Sequence, residues 1–144
     1  METADMVQLL WDRERVVELT HRYASGVDRR DWEQVRSCFT DTATVEGSIS
    51  GGPVDEYLRT IRTAVERYSA TMHLMSNHDV EINGDRANAQ TYAVAFHWAM
   101  EPAGSASEEN LVAGVRYLDE LVRVDSGWAV ERRRVMGEWR RRGF

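Results

Sequence analysis

The sequence contains no lysine: all 18 of its basic side chains are arginine. That excludes Schiff-base chemistry on a lysine and covalent attachment of pyridoxal phosphate. Cysteine is almost as scarce. Cys38 stands alone, which excludes an intrachain disulfide and any metal site built from several cysteines. A lone cysteine can be a nucleophile, but the favoured reading is a small buried apolar side chain. No apolar run approaches the ~20 residues that a membrane-spanning helix needs. No Walker or Rossmann glycine pattern signals a nucleotide, and no His-x-His or His-Glu-x-x-His pattern signals a metal. The N-terminal stretch METADMVQLLWDRERVV carries acids where a secretory signal is basic. The expectation is a cytoplasmic protein with no membrane partner and no cofactor.

What is present fits a globular chain. Its 144 residues suffice for a real core and are read as one domain, 1–144. A net charge of −6 argues against nucleic acid as a partner. The basic C-terminal run ERRRVMGEWRRRGF is the exception, and it is read as a solvated final strand and tail.

The hydrophobic period changes along the chain. Val16, Leu19, Tyr23 and Val27 recur at three- and four-residue spacing, so one face of a long first helix is apolar. Gly26 weakens its end. Asp31 and Gln34 have the spacing of a capping box and open a short second helix running to about Phe39. A short strand fits Ala43 to Gly47, and SISGGP then turns the chain. Pro53 suits the first turn of a third helix ending near Tyr68. After residue 70 the pattern alternates or runs apolar, as in long strands over 71–82, 86–100, 111–124 and 127–139. Asn83-Gly84 and Asp125-Ser126-Gly127 are hairpin signals, and Glu101 to Asn110 is a longer loop. Three helices followed by an antiparallel meander predict an α+β domain. Its curved, mainly antiparallel sheet packs the helices in its concave face and leaves a pocket between the two layers.

The segment YASGVDRRDW (23–32) holds one acid more than a helix cap needs. Asp31 explains the cap, so Asp28 is spare, whether as an exposed acid in a helix corner or as a functional carboxylate. In ideal alternation His73, Met75 and Asn77 share one face of the first long strand, while His78 lies on the other. His73 and His78 therefore do not chelate one ion. His97 and His21 have no recognisable partner and are read as structural or surface residues.

Three stretches carry a resemblance: YASGVDRRDWEQVRSCFTDTATVEG, HLMSNHDVEINGDRANAQTY and YLDELVRVDSGWAVERR. Together they resemble the SnoaL-like group of the nuclear transport factor 2-like superfamily. The branch most similar is that of the lindane dehydrochlorinase, scytalone dehydratase and bile-acid dehydratase. The resemblance implies a cone-shaped α+β barrel with a deep pocket. It implies that Asp28, in GVDRR, and His73, in HLMSN, form a catalytic Asp–His dyad. It further implies substrate-binding roles for Asn77, for Arg123 in ELVRVDSGW, and for Tyr23. It implies a homodimer or higher homo-oligomer, in keeping with apolar Val122 and Val124 on the outer sheet face.

These expectations converge on a cofactor-independent lyase of the dehydratase type. Its substrate would be a small, largely apolar polycyclic, terpenoid or polyketide-like molecule. A polyketide cyclase or isomerase using the same dyad is the enzymatic alternative. A non-catalytic ligand-binding or partner module is the alternative of another class.

Overall fold

The computed structural model describes residues 1–125 and 127–144. Ser126, the centre of the second expected hairpin turn, lies outside them. The elements run α1 (Thr3–Arg29), α2 (Trp32–Ser37), β1 (Phe39–Glu46), β2 (Gly51–Pro53), α3 (Val54–Glu66), β3 (Ala70–Asn83), β4 (Arg86–Trp98), β5 (Leu111–Val124) and β6 (Gly127–Arg142).

The apolar stripe of α1 is buried as its spacing predicts, with Val16, Leu19, Tyr23 and Val27 each under 5% exposed. Gly26 does not end the helix. A Cβ there would sit 2.8 Å from Val35 Cγ2, so this glycine lets α2 approach. The helix instead ends at Arg30, whose φ of 60° turns the chain left-handed. Asp31 then caps α2 by accepting the Gln34 backbone N–H at 3.0 Å.

Six strands form one sheet in the order β2-β1-β6-β5-β4-β3. All pairings are antiparallel except β1 with β6. The sheet is curved but does not close: β2 and β3 are its edges. Two boundaries differ from the sequence reading. The first strand begins at Phe39 instead of Ala43, and the glycine-rich turn contains the three-residue β2. Cys38 is buried.

Among the described residues, one ion pair is buried on both sides. Arg133 donates to both carboxylate oxygens of Asp119, at 2.7 and 2.8 Å. Its guanidinium lies 4.4 Å from the Tyr23 ring centre and 4.5 Å from that of Tyr117. A buried ion pair rarely stabilises more than well-packed apolar residues would, so its presence points to a polar requirement next to these tyrosines. No helix among the described residues is long and apolar enough to cross a membrane.

Candidate active site

The site is built where the end of α1 meets the free edge of the sheet. Strand β3 pairs only with β4, so half of its backbone N–H groups need partners from outside the sheet. Asp28, in the last turn of α1, supplies one. Its Oδ2 accepts the His73 backbone N–H at 2.9 Å. Its Oδ1 accepts from His73 Nδ1 at 2.7 Å and from the Thr71 hydroxyl at 2.9 Å. A carboxylate only accepts, so Nδ1 carries a proton, and in the neutral imidazole the lone pair is therefore on Nε2. Burial pushes the Asp28 carboxyl up, but the hydrogen bonds and charge of His73, aided by Thr71, outweigh it and hold it below the ordinary range. Asp28 is therefore ionised at neutral pH.

Arg30 locks this arrangement, and the sequence reading gave it no role. Its Nη1 donates to Thr71 Oγ1 at 2.9 Å and to the Asp28 carbonyl at 3.1 Å. Its Nη2 reaches the Tyr68 carbonyl at 3.2 Å. One guanidinium thus ties the end of α1 to the start of β3. Thr71 relays the contact, accepting from Arg30 and donating to Asp28. Thr71 lies two residues before His73, on the same face of the strand, and that period is the only sequence signal that could have picked it out.

His73 lines a cavity of about 500 Å³ between the helices and the concave sheet face. The walls are largely apolar: Val27, Ile61, Val65, Ala95, Val115 and Val135. Tyr23, Tyr57 and Tyr117 also line it. Burial raises all three hydroxyls above their ordinary range, so they are neutral hydrogen-bond donors. Tyr23 is thus in the cavity as expected, joined by two tyrosines that the sequence reading did not assign. A more open depression of about 540 Å³ elsewhere on the sheet is lined by charged residues such as Glu46, Glu120, Arg132 and Arg134 and does not include the dyad.

Three expectations require correction. Asn77 does not share the His73 face. Ser76 pairs with Tyr92 and Asp79 with Gln90, so Asn77 and His78 together oppose Thr91 in a bulge. Asn77 sits there at φ 50°, exposed to solvent, and His78 turns inward to contact Thr91 Oγ1 at 3.2 Å. Ideal alternation fails at one inserted residue.

Arg123 is not among the cavity residues. It donates to both oxygens of Asp12 at 2.8 and 3.1 Å, and its Nε donates to Asp85 at 2.8 Å. It also stacks 4.5 Å over Trp128. Two carboxylates and an indole hold it as a structural clamp.

His97, read as structural or surface, lines the cavity. Its ring centre is 5.9 Å from that of His73 and 4.9 Å from that of Tyr68. Nδ1–H donates to the Leu111 carbonyl at 3.2 Å. Burial and then the neighbouring His73 depress its pKa to about 4, so it is a neutral imidazole at working pH. Among the described residues no group of three His, Cys, Asp or Glu side chains is placed to hold a metal ion.

The family model for the SnoaL-like domain matches residues 8–134. The chain belongs to the SnoaL-like family. An uncharacterized protein of Mycobacterium tuberculosis is 26% identical over 125 residues, spanning 85% of this chain and 82% of that one. Among solved structures, a protein from Kribbella flavida superposes with a TM-score of 0.80 at 24% identity, covering 92% of this chain and 95% of the other. A candidate scytalone dehydratase from Novosphingobium aromaticivorans gives 0.79 at 19%, covering 99% and 91%. A hexachlorocyclohexane dehydrochlorinase from Novosphingobium barchaimii gives 0.77 at 18%, covering 94% and 92%. At these identities the structures establish a shared fold.

Proposed function

We propose that this SnoaL-like protein is a cofactor-independent lyase of the dehydratase type, acting on a small, largely apolar ring compound. The observation that carries the reading is the Asp28–His73 pair, at 2.7 Å, set in the wall of a mostly apolar cavity. His73 Nε2 takes a proton from the carbon next to a carbonyl, and the ionised Asp28 stabilises the imidazolium that forms. The C–H electron pair becomes an enolate, whose oxygen accepts hydrogen bonds from neutral donors such as the cavity tyrosines. Collapse of the enolate forms the double bond and expels the β-hydroxyl, which leaves as water with the proton held by His73. The names of the two solved relatives above, a dehydratase and a dehydrochlorinase, favour elimination over other uses of such a base. Isomerisation or ring closure would use the same first step.

The test is turnover of a panel of cyclic β-hydroxy ketones. One member is 3-hydroxy-1-tetralone, which loses water to give fluorescent 1-naphthol. The reading predicts accelerated release of water from at least one member and none with His73→Ala. A folded wild-type protein that accelerates none of the panel belongs instead with ligand-binding modules.

A further inference from the structure

Arg67, Arg140 and Arg142 line the rim of the cavity. The last two belong to the basic C-terminal run that the sequence reading assigned to a solvated strand and tail. Both are exposed in the final strand, as that reading has it, and the register adds which face they stand on. Across the sheet, His73 pairs with Ala95, Ala95 with Ala113, and Ala113 with Arg140. One row nearer the rim, Thr71 pairs with His97, His97 with Leu111, and Leu111 with Arg142. Ala95, His97, Leu111 and Ala113 all line the cavity. Arg140 and Arg142 therefore stand in the same two inward-facing rows as His73 and Thr71, on the opposite wall. Three strand spacings separate Arg140 from His73, about 14 Å measured along the sheet. Arg67 follows α3 and closes the rim from the helix side.

Among the described residues these cations have no protein counterion at ion-pair distance, whereas nearby Arg116, Arg132, Arg133 and Arg134 all have one. The one acid among the described residues that line the cavity, Glu138, is bound to Arg116 at 3.1 Å. In a chain of net charge −6, acids are in excess, so three unpaired arginines around one opening form a local reversal of charge. A guanidinium presents a planar fork that fits carboxylate, sulfonate or phosphate oxygens.

We propose that the substrate is an anion: a ring body fills the apolar cavity, and a carboxylate or phosphate-type group is held at the rim by Arg140, Arg142 and Arg67. The assignment rests on the cavity being the substrate site, and it adds the charge of the substrate and the distance from the reacting carbon to the anionic group.

The test compares two fluorescent probes of the same shape. One is anionic 8-anilino-1-naphthalenesulfonate; the other is uncharged N-phenyl-1-naphthylamine. Both are titrated into the wild-type protein, the Arg140→Gln/Arg142→Gln double variant and the matching double lysine variant. The expected result is tighter binding of the anionic probe by wild type. The ratio of the two affinities should fall at least about tenfold in the glutamine variant, the scale of losing charge-assisted hydrogen bonds, and mostly survive in the lysine variant. Using the ratio cancels any general damage to the cavity. Equal affinities in wild type, or a ratio that the glutamine pair leaves unmoved, would overturn the proposal. Because the readout is binding, it is independent of whether His73 is a catalytic base, so the two claims fail separately.

Discussion

Asp28 holds His73 twice, by its ring nitrogen and by its backbone N–H, at 2.7 and 2.9 Å. The carboxylate thereby fixes the position of the strand as well as the orientation and tautomer of the imidazole. Both bonds join α1 to an edge strand, so the dyad is also part of how the helix layer attaches to the sheet. Asp28→Ala should cost about 1–3 kcal/mol of stability, since it leaves half-buried donors without their charged acceptor. Asp28→Asn, which keeps an acceptor oxygen, should cost less. Urea denaturation of the two variants checks the order.

The Asp12 clamp predicts a pH dependence. Hydrogen bonding from Arg123, opposed by burial and aided by Gln8 and Trp128, lowers the Asp12 pKa to about 2. A depressed folded-state pKa adds stability that is fully present above the ordinary value of 3.8 and is lost as pH falls toward about 2. Asp12→Asn should therefore be less stable than wild type at pH 7, with the gap narrowing between about pH 4 and 2. Denaturant midpoints measured across that range decide it. A gap that is constant with pH would contradict the clamp.

His97 should stay neutral well below the ordinary histidine range. Its pKa of about 4 keeps a second positive charge away from His73, so the cavity holds one base and one neutral imidazole. Nitrogen-detected NMR should show Nδ1–H for His97 down to about pH 5, below the ordinary histidine value near 6.5. Titration near that ordinary value would count against it.

The outer sheet face predicts self-association. Met72, Leu74, Tyr92 and Trp139 are each at least 40% exposed. Leu74 pairs with Val94, Val94 with Gly114, and Gly114 with Trp139. A Cβ on Gly114 would meet the Trp139 ring at 2.2 Å, so the indole lies flat across the glycine and extends the apolar surface. This patch lies well along the sheet from Val122 and Val124, where the sequence reading had placed it. Apolar surface of this kind usually marks an interface, and the expected occupant is a second copy. Light scattering at micromolar concentration should give at least twice the 16.5 kDa chain mass.

Helices and strands were legible because each rests on a local signal, whereas the pairing of Asp28 with His73 came from the family resemblance. The 3.6-residue stripe of α1, the Asp31 cap and the alternation after residue 70 each mark an element. Asp28 stood out because Asp31 had already accounted for the cap. What was not legible depends on insertion or on distant partners. The Asn77–His78 bulge inverts a face with no sequence mark. Arg123 was drawn to Asp12, more than a hundred positions away. His97 became a cavity residue only when the register placed it beside His73. Arg133 of the buried pair and the rim residues Arg140 and Arg142 belong to one basic run, and only the fold separates the arginine in the core from those at the opening.

The most direct test of the central claim is a four-protein kinetic cycle. Wild type, Asp28→Asn, His73→Ala and the double variant are compared on the β-hydroxy ketone that wild type turns over fastest, with circular dichroism to verify folding. His73→Ala should lower the chemical step by about 10²–10⁴-fold, the usual contribution of a general base. Asp28→Asn should also cost orders of magnitude, and the double variant should be little worse than His73→Ala, because groups acting as a unit are not additive. Turnover near the wild-type rate by folded His73→Ala, or losses that simply multiply in the double variant, would contradict the account.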